Sequence, residues 1–197
     1  MGVFDPKSPA DIARLVREHP LATLVSNSAE GFAATPLPLL AETDGEGRVV
    51  ALIGHIARSN PHLAGLQADP RALAMFHGPQ AYVSPRIVSK PGWGPTWNYA
   101  VARFQVTLAL APEDNDRALT RLIEAMEGDG PDDWRAAMMG ERYDRLLPHI
   151  VAFRAEVLST HATFKLGQDE DDASFAEIAR DIGDRALARL MLEQRGE

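Results

Sequence analysis

The spacing of apolar residues divides the chain into helices and strands from its first residues onward. Apolar positions three and four apart within residues 8–20 predict a short amphipathic helix. Runs rich in β-forming residues follow at 21–27, 32–42 and 48–56, separated by turns at 28–31 and 43–47. Because tight turns join strands that run in opposite directions, this part of the chain predicts an antiparallel sheet.

The rest of the chain continues the pattern. A helix is predicted from Ser59 or Asn60 to Gln67, because Ser or Asn caps a helix and Pro61 fits its first turn. The remaining strands are predicted at 71–78, 80–85, 96–111 and 149–167, the last as one strand or a strand pair. The remaining helices are predicted at 112–127, 131–139, 140–148 and 169–194. About six strands of this length tend to close into a barrel, since closure removes exposed sheet edges.

Prolines and glycines mark two unusual places in this pattern. Pro36 and Pro38 remove two backbone donors from the strand at 32–42, so part of it must lie at a sheet edge or face a ligand. The loop at 85–95, "PRIVSKPGWGP", is long for a compact domain, and such loops are often functional.

Composition narrows the classes of function. The formal net charge is −8, with 28 acidic and 20 basic residues, and no run of Lys or Arg stands out. Direct DNA binding is therefore not expected. The chain has no cysteine, which excludes disulfides, thiolate metal sites and cysteine nucleophiles. No stretch fits a signal peptide or approaches membrane-spanning length, so we expect a cytoplasmic protein with no membrane partner.

The first candidate site is "HIARSN", residues 55–60, where the third strand meets the following helix. A helix N-terminus exposes free N–H groups and a partial positive charge, which bind phosphate well. Arg58 can hold two phosphate oxygens at once, and Ser59 and Asn60 can donate further hydrogen bonds. His55 sits where the strand ends. The alternative is a capped helix with a surface arginine.

A second group of candidates lies on the later strands. Trp97 and Tyr99 alternate with Asn98, so aromatic and amide groups face opposite sides of a strand. Aromatic rings and amides suit a planar heteroaromatic ligand, whereas the alternative is core packing of two large rings. Gln80 and Tyr82 share one side of the neighbouring strand, with a plain turn as the alternative there.

Several kinds of chemistry have no motif in this chain. The six histidines show no metal-binding spacing, so a metal site is not expected. The chain has no G-x-S-x-G, P-loop or G-x-G-x-x-G motif. No residue stands out as a catalytic acid or base, and the catalytic residues stay unknown.

Four stretches together resemble one family. "HIARSNPHL", "GPQAYVSP", "PTWNYAV" and "FKLGQ" occur in the order, and at roughly the spacing, of the FMN-binding negative transcriptional regulators of the PaiB type. The resemblance extends from the N-terminal helix to about residue 170. It implies a mainly β protein with helices (α+β), an antiparallel split β-barrel of the pyridoxamine-phosphate-oxidase kind. It also implies FMN bound at the interface of a homodimer.

The same resemblance implies a set of site residues. Arg58, Ser59 and Asn60 would bind the FMN phosphate, with His55 nearer the ribityl chain. The strand at 34–38, "ATPLP", resembles the one whose backbone passes the isoalloxazine ring. The further implied cofactor or pocket residues are Gln80, Tyr82, Trp97, Asn98, Lys165 and Gln168.

The chain departs from the family pattern at three places. Pro36 stands where the family commonly has His before its Leu-Pro. Arg86–Val88, in "SPRIV", replaces the Ser-Trp-Tyr of the common Ser-Pro-Ser-Trp-Tyr and loses two aromatic rings. Gly167 and Asp169 replace Ser and Asn in the tail motif Lys-Leu-Ser-Gln-Asn. These changes leave the phosphate end intact and affect the surface above the flavin.

The implied organisation is an FMN-binding split β-barrel domain at 1–168, with a helical insertion at 112–148, followed by a C-terminal helical segment at 169–197. The implied function is an FMN-binding flavoprotein with a redox or regulatory role. The alternatives are a flavin-dependent oxidoreductase acting on an unidentified small molecule and a barrel that has lost its cofactor.

Overall fold

The protein is built on one seven-stranded antiparallel sheet in a computed structural model that describes residues 2–28 and 31–196. The strands are β1 (Leu21–Ser28), β2 (Gly31–Pro38), β3 (Leu40–Thr43), β4 (Val49–Ala57), β5 (Arg71–Val83), β6 (Thr96–Leu110) and β7 (Ile150–Lys165). Their order across the sheet is β2-β1-β5-β6-β7-β4-β3. The turn expected at 28–31 includes residues 29 and 30, which lie outside the described residues.

The sheet stays open, which differs from the expected closure into a barrel. β2 and β3 are its two edges in the described chain and do not pair with each other. The edge position of β2 confirms the expectation drawn from Pro36 and Pro38, because the missing N–H groups cost nothing where no strand follows. A break at Leu39, whose backbone N–H donates to the Pro20 carbonyl, separates β2 from β3 and makes two strands of the single one predicted at 32–42.

Other strand boundaries also differ from expectation. The two strands predicted at 71–78 and 80–85 are one strand, β5, with a register shift between His77 and Gln80. Gly78 and Pro79 form this bulge, which re-aims the second half of β5 without ending it. The last strand, β7, is a single strand and pairs with both β4 and β6.

Six α-helices surround the sheet in the described part of the chain. They are α1 (Pro9–Glu18), α2 (His62–Ala68), α3 (Asn115–Glu127), α4 (Glu141–Leu146), α5 (Asp172–Asp181) and α6 (Arg185–Arg195). Of the helix predicted at 131–139, only a 3₁₀ turn at Ala136–Met139 forms. The C-terminal helical segment predicted at 169–194 consists of two helices, because Ile182 ends α5 in an extended conformation and Asp184 caps α6.

One hydrophobic core joins the sheet to the C-terminal helices. Phe76, Phe104, Phe153 and Phe164 are completely or almost completely buried within it. The same cluster contains Phe175, Ile178, Leu187 and Met191 of α5 and α6. The boundary at residue 168 stays a prediction. In the described residues, no helix is both long and apolar enough to cross a bilayer.

Candidate functional site

The corner between β4 and α2, residues 55–62, holds the first group of predicted site residues. Arg58 is exposed, and its backbone N–H donates to the His149 carbonyl at 2.8 Å. Its side chain donates from Nε to the Pro148 carbonyl at 2.9 Å and from Nη2 to the Ile150 carbonyl at 3.3 Å. Among the described residues, Nη1 has no partner. The guanidinium is therefore held in place by the backbone at the start of β7 while one nitrogen remains free to bind an anion.

Ser59 and Asn60 differ in their surroundings. Ser59 is exposed, and its hydroxyl has no partner among the described residues. Asn60 is partly buried, and its Oδ1 accepts at 2.9 Å from the backbone N–H of His62, the first residue of α2. The N-cap position itself is Pro61. Asn60 Nδ2 donates to Thr35 Oγ1 at 3.4 Å. Because α2 has only seven residues, side-chain donors rather than the helix dipole would contribute most to anion binding here.

His55 lies on β4 opposite Ala152 of β7. Its Nδ1 is buried and has no hydrogen-bond partner in the described chain. Burial lowers the pKa of His55, because an imidazolium would lose its hydration there. The ring is therefore neutral near pH 7, and its contact with a cofactor stays a prediction.

The second group lies at the far end of β5 and β6. Tyr82 and Trp97 are cross-strand neighbours, and their ring centroids are 6.0 Å apart at an interplanar angle of 60°. Both rings are about half exposed, at 50% and 51%. Gln80 is exposed on the same side of β5. Two large rings exposed together are typical of a binding surface rather than of core packing.

The start of β6 and the end of β7 carry three further predicted site residues. They are Lys165, Asn98 and Gln168, and not all of them face the aromatic pair. Lys165 Nζ donates to Thr96 Oγ1 at 2.7 Å and to the Trp97 carbonyl at 3.0 Å, which fixes the start of β6. Asn98 points to the opposite side, where it is 1% exposed and its Nδ2 lies 3.6 Å from Met191 Sδ. Gln168 bonds to the backbone of Phe164 and Leu166 and stabilises the turn after β7. Cofactor contact by these three residues stays a prediction.

The departures from the family pattern have local physical reasons. Gly167 has φ +83°, a left-handed conformation that a serine adopts only with strain. A Cβ at this position would also lie 3.3 Å from the Phe175 ring. Pro36 is exposed on edge strand β2. Arg86 and Ile87 lie in a 3₁₀ turn, and Val88 packs into the core where the family has an aromatic residue.

Sequence analysis missed three buried polar residues beside the corner. Ser26, Thr35 and His62 are 4%, 8% and 4% exposed. His62 Nε2 is 2.7 Å from Ser26 Oγ, and His62 Nδ1 is 2.9 Å from Thr35 Oγ1. The available signal was the two-residue period of β1 and β2, which puts Ser26 and Thr35 on the same faces as Leu24 and Leu37.

The two groups of site residues lie at opposite ends of β7. His55 pairs with Ala152 near the beginning of β7, whereas Lys165 at its end pairs with Tyr99 of β6. At about 3.3 Å per residue, the path along β7 from Ala152 to Lys165 is roughly 40 Å. The two groups are therefore separated by almost the whole length of β7.

A separate groove of about 780 Å³ contains none of the predicted site residues. It lies where β7 continues beyond its last pairing with β4, between Val50 and Leu158, under the N-terminal residues 5–9. Its apolar side chains include Leu158, which is 60% exposed. Within the described residues, no cluster of His, Asp or Glu could hold a metal ion.

Comparisons with known proteins match most of the chain. The family model described as "Putative FMN-binding domain" matches residues 2–159. Protease synthase and sporulation protein PAI 2 of Bacillus subtilis (strain 168) is 28% identical over 182 residues, which cover 91% of this chain and 86% of that protein.

Solved structures give the same fold. A conserved hypothetical protein from Mycobacterium tuberculosis matches with a TM-score of 0.57 at 16% identity, covering 85% of this chain and 91% of that one. The FAD and heme binding protein from Mycobacterium smegmatis matches with a TM-score of 0.57 at 16% identity, covering 87% and 77%. The likeness confirms the predicted α+β, split-barrel fold class.

Proposed function

Since the chain belongs to the family described as "Putative FMN-binding domain", we propose that the β4–α2 corner binds the phosphate of FMN. Family membership confirms the predicted resemblance and supports FMN as the cofactor. The observation that carries the proposal is the Arg58 guanidinium, which two backbone carbonyls orient while Nη1 has no partner in the part of the chain that the structure describes. Ser59, the next residue along the chain, is exposed. A charged donor fixed in this way binds a phosphate oxygen with little loss of side-chain entropy.

The residues present have the chemistry that FMN requires. Arg58 and Ser59 supply donors for the phosphate, and the neutral His55 ring lies nearby on β4. The half-exposed Tyr82 and Trp97 offer aromatic surface to the planar ring system. When bound, FMN supplies hydride and electron transfer, and the protein supplies the binding and orientation.

We propose that the protein is a homodimer whose interface includes the outward sheet face of β1, β2 and β5. This face carries Leu21 and Phe32, which are 65% and 86% exposed. Between them lie partly buried apolar residues on paired positions of neighbouring strands, namely Val25 opposite Leu73 and Met75 opposite Thr23. An apolar face of this extent is typical of a protein interface.

The homodimer also explains why the two groups of site residues are separated. We propose that the corner of one subunit and the aromatic end of its partner together form each FMN site. The separation of the two groups along almost the whole of β7 supports this arrangement. A dimer with this geometry holds two equivalent composite sites.

A mixed dimer tests the composite site. One chain carries Arg58→Ala and the other carries Trp97→Ala, with different affinity tags so that the mixed dimer is purified on both. In the composite arrangement the mixed dimer has one intact site and binds one FMN tightly, whereas either variant alone binds weakly at both sites. A mixed dimer with no tight site would show that Arg58 and Trp97 of one chain serve the same flavin.

We propose a redox or regulatory role rather than a named reaction. The Bacillus relative takes its name from protease synthesis and sporulation, which supports regulation more than metabolism of one substrate. The net charge of −8 supports action without direct DNA contact, and a cytoplasmic location is consistent with a chain that has no cysteine. A small-molecule substrate remains compatible with the flavin chemistry.

A further inference from the structure

Four polar side chains form a continuous hydrogen-bonded chain beneath the β4–α2 corner. It starts at Asn60 Nδ2, passes through Thr35 Oγ1 at 3.4 Å and His62 Nδ1 at 2.9 Å, and ends where His62 Nε2 meets Ser26 Oγ at 2.7 Å. Ser26, Thr35 and His62 are buried among apolar neighbours on β1, β2 and α2. A buried polar chain of this kind fixes geometry strongly, because each broken link leaves an unsatisfied group.

The order of donors and acceptors in this hydrogen-bonded chain follows from its first residue, Asn60. Asn60 Oδ1 accepts from the His62 backbone N–H, so the amide nitrogen is the atom that faces Thr35. Thr35 Oγ1 accepts from Asn60 and is then free to donate its own hydrogen to His62 Nδ1. This order favours the tautomer in which the proton of a neutral His62 sits on Nε2 and is donated to Ser26 Oγ.

The opposite tautomer is less consistent with the contacts. A proton on His62 Nδ1 would bring two donors onto Thr35 Oγ1 and interrupt the head-to-tail order in which successive hydrogen bonds polarise one another. Burial lowers the pKa of His62, which keeps the ring neutral near pH 7 and allows one nitrogen to accept.

We propose that Thr35 and His62 are positioning residues that hold the Asn60 amide so that its second Nδ2 hydrogen serves the FMN phosphate. This inference rests on the proposed function of the corner. Among the described residues, that second hydrogen has no partner. Because both atoms of the amide are already anchored, the hydrogen is directed before the ligand arrives, and binding does not have to immobilise the side chain.

The experiment compares two changes at Thr35 in the full-length protein. Thr35→Val keeps the shape of the side chain but removes the hydroxyl, whereas Thr35→Ser keeps the hydroxyl. For each, the dissociation constants of FMN and riboflavin are measured by flavin fluorescence. We expect Thr35→Val to weaken FMN roughly three- to tenfold with little change for riboflavin, since one hydrogen bond is lost. Thr35→Ser should keep the wild-type ratio.

Controls separate positioning from general packing. Thr107→Val alters a partly buried threonine of β6 and should leave both constants unchanged. If Thr35→Val weakens FMN and riboflavin equally, Thr35 only stabilises the fold and the inference is overturned. If the wild-type protein binds FMN more tightly than riboflavin and Thr35→Val keeps the same ratio of dissociation constants, the inference about Thr35 is wrong and the proposed phosphate site stands. If the wild-type protein binds FMN and riboflavin equally tightly, both the inference and the proposed phosphate site are wrong.

A nitrogen-15 NMR spectrum of the His62 ring tests the direction of the chain without any flavin. We expect a neutral ring with its proton on Nε2 at pH 7.5. In Thr35→Val the Nδ1 resonance should move, because its donor is gone. A proton on Nδ1 in wild type would overturn the directional argument.

Discussion

At the scale of single residues, the sequence identified charged and aromatic candidates but not the buried polar ones. Arg58 and Ser59 follow a core strand, where a polar cluster is visible in the sequence. His62 was not predicted, because a histidine after a helix cap gives no sign of its two hydroxyl partners. Those partners, Ser26 and Thr35, become neighbours only when β1 and β2 fold beside α2.

Removing the Arg58 side chain should weaken FMN binding with little effect on riboflavin. In Arg58→Ala a charge-assisted hydrogen bond is lost, which is worth about 1.5–3 kcal/mol, so FMN affinity should fall roughly tenfold to a hundredfold. Arg48→Ala is the matched control, because Arg48 is an exposed arginine at the rim of the groove, paired with Asp44 and Glu46. Titrations with both flavins, together with thermal melts, measure the effect. Unchanged FMN affinity in Arg58→Ala would mean that Arg58 is a surface residue beside a capped helix and does not bind the phosphate.

One buried and one partly buried histidine make stability depend on pH. Burial lowers the pKa of His55 and of His62 below the unfolded value of about 6.5. Below pH 6.5 the unfolded chain therefore binds more protons than the folded one, and the free energy of unfolding falls as the pH is lowered. Urea melts at pH 7.0, 6.5, 6.0 and 5.5 measure this slope.

Replacing either histidine by glutamine should make that slope smaller. Carboxylates whose pKa values are lowered in the folded protein lose their contribution to stability only at lower pH, so they do not cause this slope. Asp69 and Asp171, for example, have pKa values of about 2 because Arg71 and Lys90 donate to them. A wild-type protein that gains stability between pH 7.0 and 5.5 would contradict the assignment.

At the scale of elements, the type of nearly every strand and helix was predictable, whereas their ends were not. Runs of β-forming residues predicted β4 and β6, and the helix predicted at 112–127 corresponds to α3. The bulge at Gly78 was read as a break, because a Gly-Pro pair signals a turn in sequence but here only shifts the register of β5. The order of the strands in the sheet could not be predicted from the sequence, because β7 pairs with strands from both halves of the chain.

Strand β4 has a glycine where it packs against the break between β2 and β3. A Cβ at Gly54 would overlap Leu39 Cδ2 and lie 3.2 Å from the Pro38 carbonyl and 3.3 Å from the Phe153 ring. Because Leu39 is fully buried and cannot move away, Gly54→Ala should lower the free energy of unfolding by about 1–3 kcal/mol. Gly45→Ala, with nothing within 4 Å of its new Cβ, is the control and should be near neutral in chemical denaturation. Equal stability of the two variants would show that this packing relaxes easily.

At the scale of the whole molecule, the split-barrel fold class followed from the resemblance, but the open sheet did not. Counting strands predicts closure, yet a short β3 and a proline-containing β2 remain as edges. The sequence could not show that the two groups of site residues lie at opposite ends of β7. The two groups come from separate stretches of the sequence, and only the pairing of the strands relates their positions. That separation supports the proposed dimer.

A charge on the outward sheet face should prevent dimer formation. Phe32→Asp places a carboxylate at an 86% exposed apolar position of that face, and we expect light scattering to report a monomer that has lost tight FMN binding. Leu158→Asp makes the same kind of change at a 60% exposed leucine in the groove and should leave a flavin-binding dimer. The reverse result would move the interface to the groove.

Recognition of the FMN phosphate is the central proposed property of the protein. Titration of the wild-type protein with FMN and with riboflavin, followed by absorbance and fluorescence of the flavin, tests it most directly. We predict saturation at one FMN per chain and riboflavin binding at least about tenfold weaker, as loss of a charge-assisted phosphate contact requires. Equal affinity for the two flavins, or no binding of FMN, would contradict the account.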